Sequence, residues 1–147
     1  MSASGFFSTE GRSLIEQAIL EAERNTSGEI RVHVETDFTG DVLDHAATVF
    51  NNLNMQKTSL RNGVLIYLGI KNKKFAILGD AGINKVVPAD FWEHTKSVME
   101  GYFKNSDFAG GLAVGVKMAG EQLQKHFPYK QGDVNELSNE MSFDTSE

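Results

Sequence analysis

The strongest constraint on this chain is Arg61-Asn62-Gly63-Val64-Leu65-Ile66-Tyr67-Leu68 and the stretch Lys74-Phe75-Ala76-Ile77-Leu78-Gly79 that follows it. A strand with one wet face alternates apolar and polar residues, so a continuous apolar run led by Asn-Gly reads as a strand buried on both faces. The polar Lys71-Asn72-Lys73 turn sends the chain back into a second, antiparallel strand. That strand runs into Gly79-Asp80-Ala81-Gly82, which sets a carboxylate at the carboxyl end of a core strand. Ligands of open α/β sheets bind at such ends. The plainer reading is a solvated turn Asp between two ordinary turn formers.

The flanking pattern supplies the covering layers. Leu14, Ile15, Ala18, Ile19 and Ala22 recur at helical spacing between Ser8 and Asn25 and form an expected inner stripe. Glu29-Ile30-Arg31-Val32-His33-Val34-Glu35 alternates with period two, with Ile30, Val32 and Val34 facing one way and Glu29, Arg31, His33 and Glu35 the other. Asp41 is placed to cap a helix whose stripe is Val42, Ala46, Val49, Phe50 and Leu53. Gly82 to Val87 reads as a short helical turn. Pro88-Ala89-Asp90 opens a helix carrying Phe91, Trp92, Tyr102 and Phe103, an aromatic face better explained as core than as a ligand platform. Ser106 is the expected cap of the last helix, with Asp107 in its first turn and Phe127-Pro128 at its end.

This order, α-β-α-β-β-α-α, predicts an α/β fold: a three-layer α/β/α sandwich around a small mixed β-sheet. The first two strands should be parallel and the last pair antiparallel. Core positions are Ile30, Val32, Val34, Val64, Ile66, Leu68, Phe75 and Ile77.

A chain of 147 residues accommodates one domain of this size. Residues 1–7 read as a flexible arm, 8–128 as the folded body, and 129–147 as an acidic disordered tail. The tail holds Asp133, Glu136, Glu140, Asp144 and Glu147 against Lys130 alone, and few apolar residues to offset its ordering entropy. The net charge of −6, without a basic stripe, excludes a phosphate-neutralising nucleic-acid binder and favours cations as partners. With no Cys, disulfides, thiolate nucleophiles and Cys-ligated metals are excluded. The start has neither a basic nor an apolar signal region and no run reaches membrane-spanning length, so the expected location is the cytoplasm.

Four pieces resemble the TPM domain family, which includes thylakoid-lumen photosystem II repair proteins with reported acid phosphatase activity. They are Thr26-Ser27-Gly28-Glu29-Ile30-Arg31-Val32, then Asn62-Gly63-Val64-Leu65-Ile66-Tyr67, then Phe75-Ala76-Ile77-Leu78-Gly79-Asp80-Ala81-Gly82-Ile83, and finally Asp107-Phe108-Ala109-Gly110-Gly111-Leu112. The resemblance spans roughly 26–128 and implies the same α/β/α sandwich. Gly-Asp-Ala-Gly stands where many exported relatives have Gly-aromatic-Gly, which sets this chain beside short cytosolic bacterial members.

Three carboxylates lie at element termini: Glu29 opening a strand, Asp80 closing one, and Asp107 opening the last helix. Hard cations take oxygen ligands, so a calcium-type site (Ca²⁺, or Mg²⁺) on Glu29, Asp80 and Asp107 is the leading expectation, of unknown cellular role. Each of the three also has an ordinary structural role available: surface strand, turn, or helix-dipole partner. One alternative is a metal-dependent phosphatase acting on phosphomonoesters, with Arg31 and Arg61 as its available clamps. Another is a metal-independent protein-interaction module using the aromatic helix face. Glu35, Asp37, Asp41 and Asp44 form a second acidic run that lacks the EF-hand pattern. His33, His45, His94 and His126 lack zinc-ligand spacing, though His45 is placed to reach a sheet edge.

Overall fold

The computed structural model describes residues 5–129 and 140–143. The elements run α1 (Thr9–Arg24), β1 (Glu29–Glu35), α2 (Val42–Asn52), a 3₁₀ turn (Met55–Lys57), β2 (Gly63–Gly69), β3 (Lys74–Gly79), α3 (Ala81–Asn84), α4 (Phe91–Lys104), α5 (Phe108–His126) and β4 (Ser142–Phe143). The sheet order is β3-β2-β1-β4. β1 and β2 pair in parallel, Glu29 beside Gly63 through Glu35 beside Gly69. β2 and β3 pair antiparallel, Val64 opposite Gly79.

Two apolar layers cover the sheet. On one face Ile30, Val32, Val34, Val64, Ile66, Leu68 and Ile77 pack against α1, α4 and α5. On the other, Leu65, Tyr67 and Ala76 pack against Ala46, Val49 and Phe50 of α2 and Met55. This explains the unbroken apolar run of β2, which is buried at every residue. Phe75, expected in the core, is half-buried at the start of β3. The approach of α1 to α5 is close: a Cβ on Gly120 would lie 2.6 Å from the Ala22 Cβ.

Local capping follows side-chain chemistry. The Ser8 hydroxyl accepts the Gly11 amide at 3.0 Å, and the Asp41 carboxylate accepts those of Leu43 and Asp44. At α5 the cap is Asp107, which accepts the Gly110 amide at 2.9 Å. Ser106 sits one residue outside, at φ 61, so its backbone makes the corner between the helices.

Four expectations need correction. Leu14 is 51% exposed, because α1 packs through Ile15 and Ile19 instead. Glu29, for which a surface strand position was the plainer reading, is buried together with His33, since the sheet is covered on both faces. Residues 5–7 are not a free arm: Phe7 packs on the core, and the Phe6 ring lies 5.3 Å from Phe108, edge to face. Of the expected tail, residues 130–139 and 144–147 lie outside the described residues, but 140–143 return to the body. Met141 is buried, and Ser142–Phe143 pair in parallel with His33–Val34 as a fourth strand.

Candidate functional site

The antiparallel turn of β3 decides which sheet end each candidate occupies. Asp80 closes β3, so it lies at the amino edge of the parallel pair; its amide donates to the Gly63 carbonyl at 2.9 Å. Glu29 pairs with Gly63 from the other side. Glu29 and Asp80 therefore share one row, two strand spacings or about 10 Å apart at the backbone. Asp107 is not with them. Its helix reaches the amino edge only at Leu123, whose side chain packs on Gly28, sixteen residues or about 24 Å further along the axis.

At the amino edge each carboxylate already has its partner. The Arg61 guanidinium donates to both Asp80 oxygens, Nε at 2.7 Å and the terminal nitrogen at 2.8 Å. Asp80 also accepts the Ala81 amide at 2.7 Å, which makes it the cap of α3. The hydrogen bond to Asp80 pushes the Arg61 pKa further up. Gly82 is required here, because a Cβ would lie 2.2 Å from the Leu60 carbonyl oxygen. Glu29 stands beside Glu23, whose carboxyl is pushed up to about 9, above all by burial and then by Glu29, against the Ile30 amide that donates to it at 2.7 Å. Next in line, Asn62 is 1% exposed and Thr58 3% exposed, and their side-chain oxygens have no hydrogen-bond partner.

The three predicted ligands thus do not form one cation cage: two lie at one end of the sheet and the third at the other. Among the described residues, no group of three or more His, Asp or Glu is arranged to hold a metal ion. Arg31 is half-buried, and burial lowers its pKa against the pull of Glu23 and Glu140.

The carboxyl edge of β1 and β2 holds what the strand-end rule points to. On the α2 face, Glu35 gathers three donors. The Tyr67 hydroxyl lies 2.7 Å away, His45 Nε2 2.6 Å and His33 Nε2 3.1 Å. Burial works to raise the Glu35 carboxyl, but these hydrogen bonds outweigh it and hold it below its ordinary value. An ionised Glu35 only accepts, so both imidazoles present Nε2–H to it. In its neutral form His33 then accepts the Ser142 hydroxyl at Nδ1, 2.7 Å away. This network acts as a clamp joining β1, β2, α2 and β4. A sequence signal for it existed: His33 and Glu35 share one face of β1.

On the other face an open cleft of about 800 Å³ lies between the β2–β3 hairpin and the α4–α5 corner. Its floor is Leu68, Phe75, Phe103 and Phe108, and its rim carries Lys73, Lys74, Lys96 and Lys104. Phe103 and Phe108 stack with ring centroids 5.4 Å apart, and Phe75 meets Phe103 edge-on at 4.9 Å. Asp107 caps α5 between Ser106 and Phe108, which both line this cleft. The α4 aromatic face, read from sequence as core, is therefore split: Phe91 is buried, Phe103 floors the cleft, and Tyr102 is exposed.

A family model for the TPM domain matches residues 1–122. No curated protein matches the chain. The NMR structure of the BA42 protein from the psychrophilic bacterium Bizionia argentinensis is similar at 47% identity and a TM-score of 0.88, with 95% of this chain and 96% of that one covered. The N-terminal domain of the cg2496 protein from Corynebacterium glutamicum is 15% identical with a TM-score of 0.65, covering 82% of this chain and 76% of that one. The N-terminal domain of a P. gingivalis protein is 16% identical with a TM-score of 0.69, covering 87% and 85%. At those identities, the last two show the fold alone.

Proposed function

The chain belongs to the TPM domain family, and from that premise we propose that it is a metal-independent binding module whose ligand sits in the cleft at the carboxyl edge of β2. One observation carries this reading: an aromatic-floored cleft of about 800 Å³. Its size falls in the range of small-molecule sites, which are concave, largely apolar, and found at the ends of α/β sheets. The three phenylalanines of its floor are only half-buried. Covering them removes apolar surface from water, which favours an occupant. The phosphomonoesterase reading has less support, since Arg61 is engaged by Asp80 and Arg31 is half-buried near Glu23.

A second reading keeps a hard divalent cation, Ca²⁺ or Mg²⁺, but at the amino edge and without Asp107. It is favoured by the buried, unpartnered oxygens of Asn62 and Thr58 on the segment that runs between Glu29 and Asp80. Oxygen ligands of this kind suit such cations. Amide-shift mapping of the isotope-labelled full chain separates the two readings. Eight-carbon apolar probes should shift residues 68–75 and 96–108 saturably. Ca²⁺ or Mg²⁺ should shift 29, 58–63 and 79–82 if the second reading holds. Absence of any cleft response to all apolar probes overturns the first.

A further inference from the structure

The charge on the rim of the cleft narrows the ligand further. Lys73, Lys74, Lys96 and Lys104 line it, while Glu100 is the one acid that lines it among the described residues. None of these lysines forms an ion pair among the described residues. The chain as a whole is acidic, with 14 basic residues against 20 acidic ones and a net charge of −6. Four cations with no ion pair among the described residues, against Glu100 alone in the lining, therefore run against the charge of the rest of the molecule. Their mutual repulsion is relieved by an anion placed among them.

The apolar and charged parts are layered. Leu68 is 3% exposed, and Phe75, Phe103 and Phe108 complete the apolar floor beside it. Lys73, Lys74 and Lys104 are exposed at the mouth, and Lys96 Nζ stands 5.9 Å from the centroid of the Phe75 ring, where floor and rim meet. A bare inorganic anion would leave the phenylalanine floor in water. A neutral apolar molecule would leave the excess of lysines over Glu100 uncompensated. Both surfaces are satisfied by one molecule with an apolar tail and an anionic head.

We propose that the cleft takes a small amphiphilic anion of the fatty-acid carboxylate type, its chain against Phe75, Phe103 and Phe108 and its head among the lysines; this rests on the cleft being the binding site. A nucleic acid or a purely acidic peptide has the charge without the tail, so neither uses the apolar floor.

The test compares octanoate, 1-octanol, butyrate and a hexaglutamate peptide by amide-shift titration of the full chain. Octanoate should saturate residues 68–75 and 96–108 more tightly than 1-octanol, while butyrate and hexaglutamate should leave them nearly unmoved. The double variant Lys74→Gln, Lys104→Gln removes two exposed charges. It should weaken octanoate about tenfold, the sum of two surface ion pairs, and leave 1-octanol binding unchanged. Raising the salt should weaken octanoate alone. Equal binding of octanoate and 1-octanol overturns the anionic specificity while leaving the cleft as a binding site. A stronger response to hexaglutamate, or octanoate binding unchanged in the double variant, also overturns it. Silence from every probe overturns both the inference and the reading beneath it.

Discussion

At Asp80, burial and hydrogen bonding assign the carboxylate a role that its Gly-Asp-Ala-Gly setting leaves open. It is 7% exposed, holds the Arg61 guanidinium through both oxygens, and caps α3. Asp80→Ala removes the cap and the partner of Arg61 together. We expect a loss of about 1–2 kcal/mol, from the capping bond and the charge-assisted hydrogen bond. That corresponds to a fall in Tm of roughly 3–6 °C for a domain this size. Asp80→Asn should cost less, since Asn also caps helices but cannot meet the guanidinium with two charged oxygens. Thermal melts with and without millimolar Ca²⁺ check this. A parent stabilised by Ca²⁺, with Asp80→Asn insensitive to it and no less stable, would favour the cation reading instead. Asp107 was legible as a helix-start residue because a carboxylate complements the helix dipole, while the cap itself was expected at Ser106 and falls on Asp107. Its distance from Asp80 was not, because nothing local to either residue records which sheet edge it reaches.

Among the elements, β4 separates composition from placement. Residues 129–147 hold too few apolar side chains to form a core, and the sequence reading of a disordered tail rested on that count. Docking needed only a few of them in the right place. Met141 is 5% exposed in the main core, and its amide donates to the Glu16 carboxylate at 3.2 Å. The Arg12 guanidinium stands 4.9 Å from the Phe143 ring centroid. Ser142 closes the contact to His33. Truncation after residue 139 should therefore lower stability by about 2 kcal/mol, the burial free energy of one large apolar side chain. Urea denaturation of the truncated chain measures it; an unchanged midpoint would show that β4 adds nothing. The edge of β1 nearer its start is handled differently. There the Ile30 amide donates to the Glu23 carboxyl, so a side chain occupies a backbone group that another strand would take.

For the molecule as a whole, two carboxyl groups shape stability against pH in opposite senses. Glu23 is raised from 4.5 to about 9, so the folded state holds a proton that the unfolded state releases. Its contribution is fully present below pH 4.5 and is lost as pH rises toward 9. Glu35 is lowered below 4.5, so its contribution is present above that value and is lost as pH falls through its depressed one. Stability should accordingly decline from about pH 5 to pH 9, and decline again in acid. Glu23→Gln keeps an acceptor for Ile30 but carries no titrating proton, and it should flatten the slope above pH 5. Denaturation at pH 5, 7 and 9 for parent and variant tests this. Parallel slopes would mean that Glu23 ionises normally in the fold. What the sequence determined by itself was the helices, the first three strands with the pairings among them, and most of the sheet core on the face of α1, α4 and α5. Those follow from apolar periodicity and turn chemistry, which act over a few residues and repeat along each element. Only the tertiary structure decided the sites. Arg61 meets Asp80, Tyr67 meets Glu35, and Ser142 meets His33 across 19, 32 and 109 positions of chain. The cleft likewise exists only where the β2–β3 hairpin and the α4–α5 corner come together. Contacts of that range depend on which sheet edge each segment reaches, and no local pattern of residues encodes it.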